Sequence, residues 1–390
     1  MAIVVHAVYA GDARIRRQGD ALLRAGHEVD VFCLRGPEDA AEETNGALRI
    51  VRLPVNRAFT SFAGHVAEYL AFAGLAAVRL AREHRRRRYQ LIQVATVPDF
   101  LAFAAIPIRL NGVPLLLDLH EDMPEFFRDR FRHPLLRPMM PVISGSARAA
   151  AAVANEIITV HEPLRQLSIA RGVPPDKISV VMNSADTRLF DAGRHARRPF
   201  MEDGELRLVH HSNLQRLYGL DVAIEALALI DPVALPHRLD VYGDGPFRPA
   251  VEAAIARTGT ADRVHLHGKV PIDDLPALLA GSDIGLVPSV PEAYLQYSLS
   301  TKLLEYAAMG LPTIATDLAT FRAHFSGEAI RYIPGADPTA LAAAIRELAA
   351  DPATASRLGA EAHRQAAAYD WEVQAARYVE IVERLTRSAN

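Results

Sequence analysis

Short apolar runs alternate with helical stretches along almost the whole chain, and this alternation limits the folds open to it. The first half reads AIVVHAV, a helix from about Asp12 to Ala25, EVDVFCL, LRIVRLP, a long helix, LIQVAT, a further helix and PLLLDLH; after an alanine-rich helix at about 135–154 come EIITV and ISVVMNS. The second half supplies ELRLVHHSN, RLDVYGDGP, VHLHGKV, DIGLVPS and PTIATD, again with helices between them. Apolar runs separated by helices predict strands of a parallel sheet covered on both faces. The expected fold class is therefore α/β, with two doubly wound, Rossmann-like domains. At 390 residues each domain can hold its own core. Residues 191–205, DAGRHARRPFMEDGE, have no apolar period and are read as a linker between a domain at 1–190 and one at 206–370; an amphipathic helix at 371–390 packs back on the body.

Charge and cysteine content narrow the functional classes. A formal net charge of −3 gives no reason to expect nucleic acid as partner. Cys33 is the only cysteine, so no internal disulfide exists and a reducing cytoplasm fits. Met1 leads straight into an apolar strand without a basic leader, and the most apolar helix is broken by Glu68 and Arg79, so neither a signal peptide nor a membrane span is expected. The first turn, YAGDARIRRQ, lacks the spaced glycines of a dinucleotide fingerprint, and no nicotinamide or flavin cofactor is expected.

The stretch with most chemistry is SLSTKLLEYAAMG at 298–310. It lies between two predicted strands, begins a helix near Thr301 and ends it at Gly310, with Pro312 beyond. Ser298, Ser300 and Thr301 set small side chains beside the free N–H groups of a helix start, and Lys302 adds a positive charge, a combination that suits a diphosphate. Glu305, one turn in, could accept hydrogen bonds from ribose hydroxyls. The plainer alternative is that Ser300 caps the helix, Lys302 is solvated and Glu305 complements the dipole. Lys177, Lys269 and Lys302 are the only lysines among 43 basic residues, and two of the three fall in candidate ligand stretches.

Other candidates stand at strand ends. LDLHEDMPE closes a strand with His120, Glu121 and Asp122, where doubly wound sheets place chemistry, although a lone histidine is as often structural and the spacing is not that of a metal site. Gly243, Gly245 and Gly268 mark further strand ends, each a weak signal alone. Asp12, Arg14 and Arg17 start the first helix and are read as solvated or as one wall of a cleft. Residues 59–88 join an apolar helix to REHRRRR, and residues 126–140 mix aromatics with arginines. Both compositions suit either core packing or peripheral docking on an anionic membrane.

The order of motifs resembles that of a family 4 glycosyltransferase with the glycosyltransferase B fold. The resemblance rests on the succession of GHEVDVFCL, VPDFLAFAA, LLLDLHEDMPE, ISVVMNSADTRLF, YGLDVAIEAL, VYGDGP, HGKVPIDDLPALLAGSDIGLVPS, STKLLEYAAMGLPTIATD and AYDWE. It implies two facing Rossmann-like domains with an interdomain cleft, a nucleotide-diphosphate sugar as co-substrate, no cofactor, no bound metal and transfer with retention. It gives the diphosphate to Ser298, Leu299, Ser300, Thr301, Lys302 and Leu303, the ribose to Glu305 and the base to Lys269 and Val270, with Gly243 on the same rim. It gives the donor sugar to His120, beside Glu121, and the cleft wall to Gly11 and Asp12. Four positions depart from the pattern. Tyr297 stands where a first glutamate is expected, leaving that contact to Glu292. Ser212, Asn213 and Tyr218 replace a glycine, an arginine and a lysine, leaving Arg216 as the nearest cation. The expected activity is transfer of a sugar to a hydroxyl of a polysaccharide, lipid-linked or small-molecule acceptor, with Arg216 and Lys302 stabilising the leaving diphosphate. The rival readings are a sugar-nucleotide epimerase or hydrolase on the same frame, and an inactive partner protein.

Overall fold

The computed structural model describes residues 1–55, 62–130, 138–292 and 294–387. It comprises two compact units, Met1–Asn183 with Glu372–Asn390, and Ser184–Trp371. Unit 1 contains β1 (Ala2–Val8), β2 (Val29–Leu34), β3 (Glu42–Asn45), β4 (Leu48–Leu53), β5 (Ile92–Ala95), β6 (Leu115–Leu119), β7 (Glu156–Thr159) and β8 (Ile178–Val180). Their order is β3-β4-β2-β1-β5-β6-β7-β8, with every pair parallel except β3 with β4. Unit 2 contains β9 (Leu206–His211), β10 (His237–Tyr242), β11 (Val264–Gly268), β12 (Ile284–Val287), β13 (Thr313–Thr316) and β14 (Arg331–Ile333). Their order is β11-β10-β9-β12-β13-β14, all parallel.

Both sheets reverse strand order beside their first strand, at β1/β5 and at β9/β12, which is where doubly wound sheets open to ligands. In unit 2 the strand period of two divides the core cleanly. Leu208, Leu286 and Ile314 join one apolar cluster, while Val209, Val287 and Ala315 join the other. A sheet covered on both faces needs apolar residues at odd and even positions alike, which explains the unbroken apolar runs.

Two strands escape the pattern. β3, EETN, is exposed throughout and carries no apolar signal, although the Asn45–Gly46 pair after it is a hairpin cue. β14 has only three residues. The expected linker is fastened instead to unit 2. Arg198 pairs with buried Asp283 at 2.7 Å, Arg197 donates to the Gly310 carbonyl, and Phe200 and Met201 pack on the core. Its missing apolar period reflects anchoring by arginine and by single apolar residues, which leave no regular spacing.

Helix bounds shift in two places. The apolar helix runs Phe62–Arg87, so most of its arginine cluster lies within the helix; the expected start at Phe59 falls outside the described residues. The alanine-rich helix runs Met140–Val153, and residues 135–137 of the expected range are likewise outside. The last helix, Trp371–Arg387, brings Tyr378 into unit 1, where its hydroxyl donates to Gln93. Among the described residues no helix is long and apolar enough to cross a membrane.

Candidate functional site

In unit 2 the site is built where backbones touch. The φ of Gly243 is 132°, and a Cβ there would lie 1.8 Å from the Ser212 carbonyl oxygen, so the turns after β9 and β10 close on each other only with glycine at this place. The helix Thr301–Ala308 follows β12 and is held by its aromatic residue. Tyr306 is fully buried with its ring against Gly285 of β12, and its hydroxyl accepts from the His211 N–H at 3.3 Å.

The amino end of this helix is open. Ser300 is the N-cap in extended conformation but makes no side-chain cap bond, and its carbonyl accepts from the Leu303 N–H at 3.1 Å. Among the described residues the N–H groups of Ser300, Thr301 and Lys302 meet no acceptor. The capping alternative for Ser300 is thereby corrected: its hydroxyl leaves the helix start to another acceptor. Ser298, Leu299 and Ser300 are half-buried and Thr301 is exposed.

Lys302 is not solvated, which corrects the other plain reading. It is 4% exposed, and its ammonium sits 3.8 Å from the centre of the Tyr218 ring. Burial pushes its pKa down to about 8, against a smaller upward pull from Glu305. Tyr218, the position where a lysine was expected, thus serves as the seat of another lysine. Glu305 is held too, with Oε2 3.0 Å from His211 Nε2. Next to it, His210 is buried between the Leu286 carbonyl at 3.1 Å and Ser212 Oγ at 2.9 Å, and burial holds it well below the usual histidine range. Both histidines end β9 in the run VHHSN, where adjacent polar residues closing an apolar strand were the available signal.

Arg216 and Glu292 form an ion pair, with Arg216 55% exposed. Lys269 is exposed and Val270 half-buried just past β11, where the Gly268 carbonyl accepts from the Gly243 N–H at 2.6 Å. Asn213 is exposed in the turn after β9, and Tyr297 is half-buried at the end of the short helical turn Tyr294–Tyr297 after β12.

In unit 1, His120 has a partner that the adjacent carboxylates concealed. Its Nε2 lies 2.7 Å from Asp118 Oδ1, while Gln18 and Gln93 donate to the other oxygen at 2.9 and 3.2 Å. Gln93 also donates to Gln18 and accepts from Tyr378, so a buried polar chain reaches from the last helix to the histidine. Burial, then nearby Arg14, hold His120 below the ordinary histidine range, so it is neutral near pH 7. Asp122 caps the helix Met123–Arg130 through the Glu125 N–H and pairs with Arg171 at 2.7 Å. Glu121 sits half-buried between them.

Asp12, just past Gly11, caps Ala13–Arg24 by accepting from the Ile15 N–H at 3.1 Å, and binds Arg14 at 3.0 Å; Arg17 donates to Asn183. The expected solvated helix start is therefore corrected, since each of these charges has a partner in unit 1.

Two doubly wound units, the second with an open helix start at its switch point, define the glycosyltransferase B architecture. Residues 11–184 match the family model of the glycosyl transferase 4-like domain, and residues 205–351 that of glycosyl transferases group 1. The chain belongs to the family 4 glycosyltransferases. A 2-deoxystreptamine glucosyltransferase of Streptomyces kanamyceticus is 27% identical over 325 residues, covering 77% of this chain and 79% of its own. Among solved structures, a sucrose-phosphate synthase of Thermosynechococcus elongatus superposes with a TM-score of 0.80 at 19% identity over 100% of both chains. Anabaena HepE in complex with UDP-glucose does so with a TM-score of 0.69 at 17% identity, over 98% of this chain and 100% of its own.

Proposed function

We propose that this glycosyltransferase takes a nucleotide-diphosphate sugar as donor and transfers the sugar, with retention and without a bound metal, to a hydroxyl of a glycan, lipid-linked or small-molecule acceptor. The observation that carries this reading is the open start of the Thr301–Ala308 helix beside a buried lysine whose pKa is about 8. A diphosphate lying against the N–H groups of Ser300, Thr301 and Lys302 supplies the missing acceptors and draws Lys302 to its charged form. The charge that grows on the leaving diphosphate then meets fixed donors in a site that needs no rearrangement. Glu305, fixed by His211, takes the ribose hydroxyls on its remaining oxygen. The UDP-glucose of HepE and the glucosyl transfer of the Streptomyces relative support a sugar-nucleotide donor.

His120 suits a sugar hydroxyl because it is neutral and held in place by Asp118: with its Nε2–H turned to the carboxylate, Nδ1 is left to accept from the hydroxyl. Retention fits direct transfer on the face the diphosphate leaves, with that group taking the acceptor proton. The test is incubation with a panel of nucleotide sugars and candidate acceptors, followed by NMR of the product. An α-linked product from an α-linked donor supports the reading; an inverted product overturns it, and hydrolysis or epimerisation with every acceptor moves the chain to another reaction class.

Contact with an anionic membrane has support in the helix Phe62–Arg87 alone. Phe72, Ala76 and Leu80 are buried on one side, whereas Ala67, Leu70, Ala71, Leu75 and Val78 form an exposed apolar stripe, Leu70 at 58%. Exposed Arg82 and Arg85 continue the stripe, a pattern suited to acidic headgroups. In the described part of residues 126–140, Phe127 is buried and Arg128, although exposed, is paired with Glu125, and residues 131–137 lie outside the described set. Sedimentation with phosphatidylglycerol vesicles at low salt, lost in Leu70→Asp, supports docking; no sedimentation at low salt removes it.

A further inference from the structure

Asp99 starts the turn after β5 and is 3% exposed, yet among the described residues neither of its carboxyl oxygens meets a hydrogen-bond partner. It lines a cavity of about 220 Å³ in unit 1 whose walls include Leu117, Ala147, Ala151 and Ile157. A buried carboxylate without partners is costly, and natural chains rarely leave one so. An apolar cavity on the order of 150 Å³ holds a benzene ring, so this one has room for a small ring compound with a substituent.

The charges around Asp99 decide what that substituent is. Asp122 and Glu121 add negative potential at Asp99, and Arg171 opposes it. Arg171 is already engaged by Asp122 at 2.7 Å and Glu125 at 2.9 Å. Of the other two arginines on the lining, Arg128 is bound to Glu125, and Arg148 is exposed. Of the three arginines on the lining, then, two are held by other carboxylates and the third is exposed, so none is bonded to Asp99, while Leu117, Ala147, Ala151 and Ile157 give the cavity an apolar stretch.

We propose that this cavity binds a small primary amine, with the ammonium on the Asp99 carboxylate and a compact ring or hydrocarbon body against Leu117, Ala151 and Ile157. The ammonium can give two hydrogen bonds to the orphaned oxygens, and a neutral hydroxyl gives one without the charge. The proposal does not rest on the nucleotide-sugar reading, whose diphosphate seat is in unit 2 and whose unit 1 residue, His120, does not line this cavity.

Calorimetric titration of the full chain at pH 8 with cyclohexylamine, and with cyclohexanol as its neutral counterpart, tests the proposal. The amine is expected to bind at least about tenfold more tightly than the alcohol, a difference that Asp99→Asn removes. Ala147→Leu fills the cavity from a half-buried helix position, leaves Asp99 in place and should abolish amine binding; it serves also if the Asp99 variant does not fold. Equal binding of amine and alcohol, or amine affinity unchanged in either folded variant, overturns the proposal. A titration with UDP, GDP and ADP on the same sample reports on the other site, so each reading can fail separately.

Discussion

The two units surround their enclosed carboxylates differently. Glu305 in unit 2 is half-buried and has His211 of β9 facing it at 3.0 Å, one turn into a helix whose start is open. Asp99 in unit 1 lies in a cavity with no such partner among the described residues. The difference teaches where a scaffold is finished before a ligand arrives and where it is not. An open helix start with unmet N–H groups suits a ligand part common to many reactions, such as a diphosphate, whereas a cavity with an unmet charge suits a more particular occupant.

The largest effect should come from removing the slack that unit 2 does not have. Gly243→Ala drives a methyl group into the Ser212 carbonyl at a positive φ and should cost more than about 3 kcal/mol of stability, read by urea denaturation. A cost below about 1 kcal/mol would mean that the turns have room to move, and the contrast with unit 1 would fall.

The next effect concerns Lys302. Its folded pKa of about 8 lies below the ordinary 10.5, so the folded chain releases this proton first. The penalty is complete below pH 8 and is relieved as pH rises from 8 toward 10.5. Lys302→Met should therefore raise stability at pH 7 by about 3 kcal/mol, the gain shrinking as pH rises through that window, while weakening nucleotide binding. A gain that does not vary with pH would contradict the buried ammonium.

The smallest effect is at Asp99. Burial, with Asp122 and Glu121 behind it, pushes its pKa up to about 7 from 3.8, so its penalty is absent below 3.8 and complete above 7. Asp99→Asn should stabilise the chain at pH 8 by about 2 kcal/mol, less than the full shift because the amide is also unpaired, and by almost nothing at pH 4. Destabilisation at pH 8 would show that Asp99 has a structural partner, and the comparison would need redrawing.

Much of the fold could be read from the chain because parallel strands covered on both faces are continuous apolar runs. β3 was missed because four exposed polar residues at an edge carry no burial signal, and residues 191–205 were misread because arginine anchoring leaves no period. At the site, the KLLEY segment was legible from helix-end chemistry. What could not be read was pairing across strands, since His211 with Glu305, Lys302 with Tyr218 and Asp118 with His120 depend on register or on the turn of a side chain rather than on a motif. Asp99 was passed over within VPDFLAFAA for the same reason: a sequence shows a carboxylate but not the absence of its partner.

The most direct test of the central claim is a calorimetric titration of the full chain with UDP, GDP, ADP and dTDP, repeated on Glu305→Ala. The account predicts that at least one of these nucleotides binds with a Kd below about 100 μM and that the variant loses at least about thirtyfold in affinity for it. Failure of all four to bind, or equal affinity in the variant, would contradict the assignment of the Thr301–Ala308 helix as the seat of the donor.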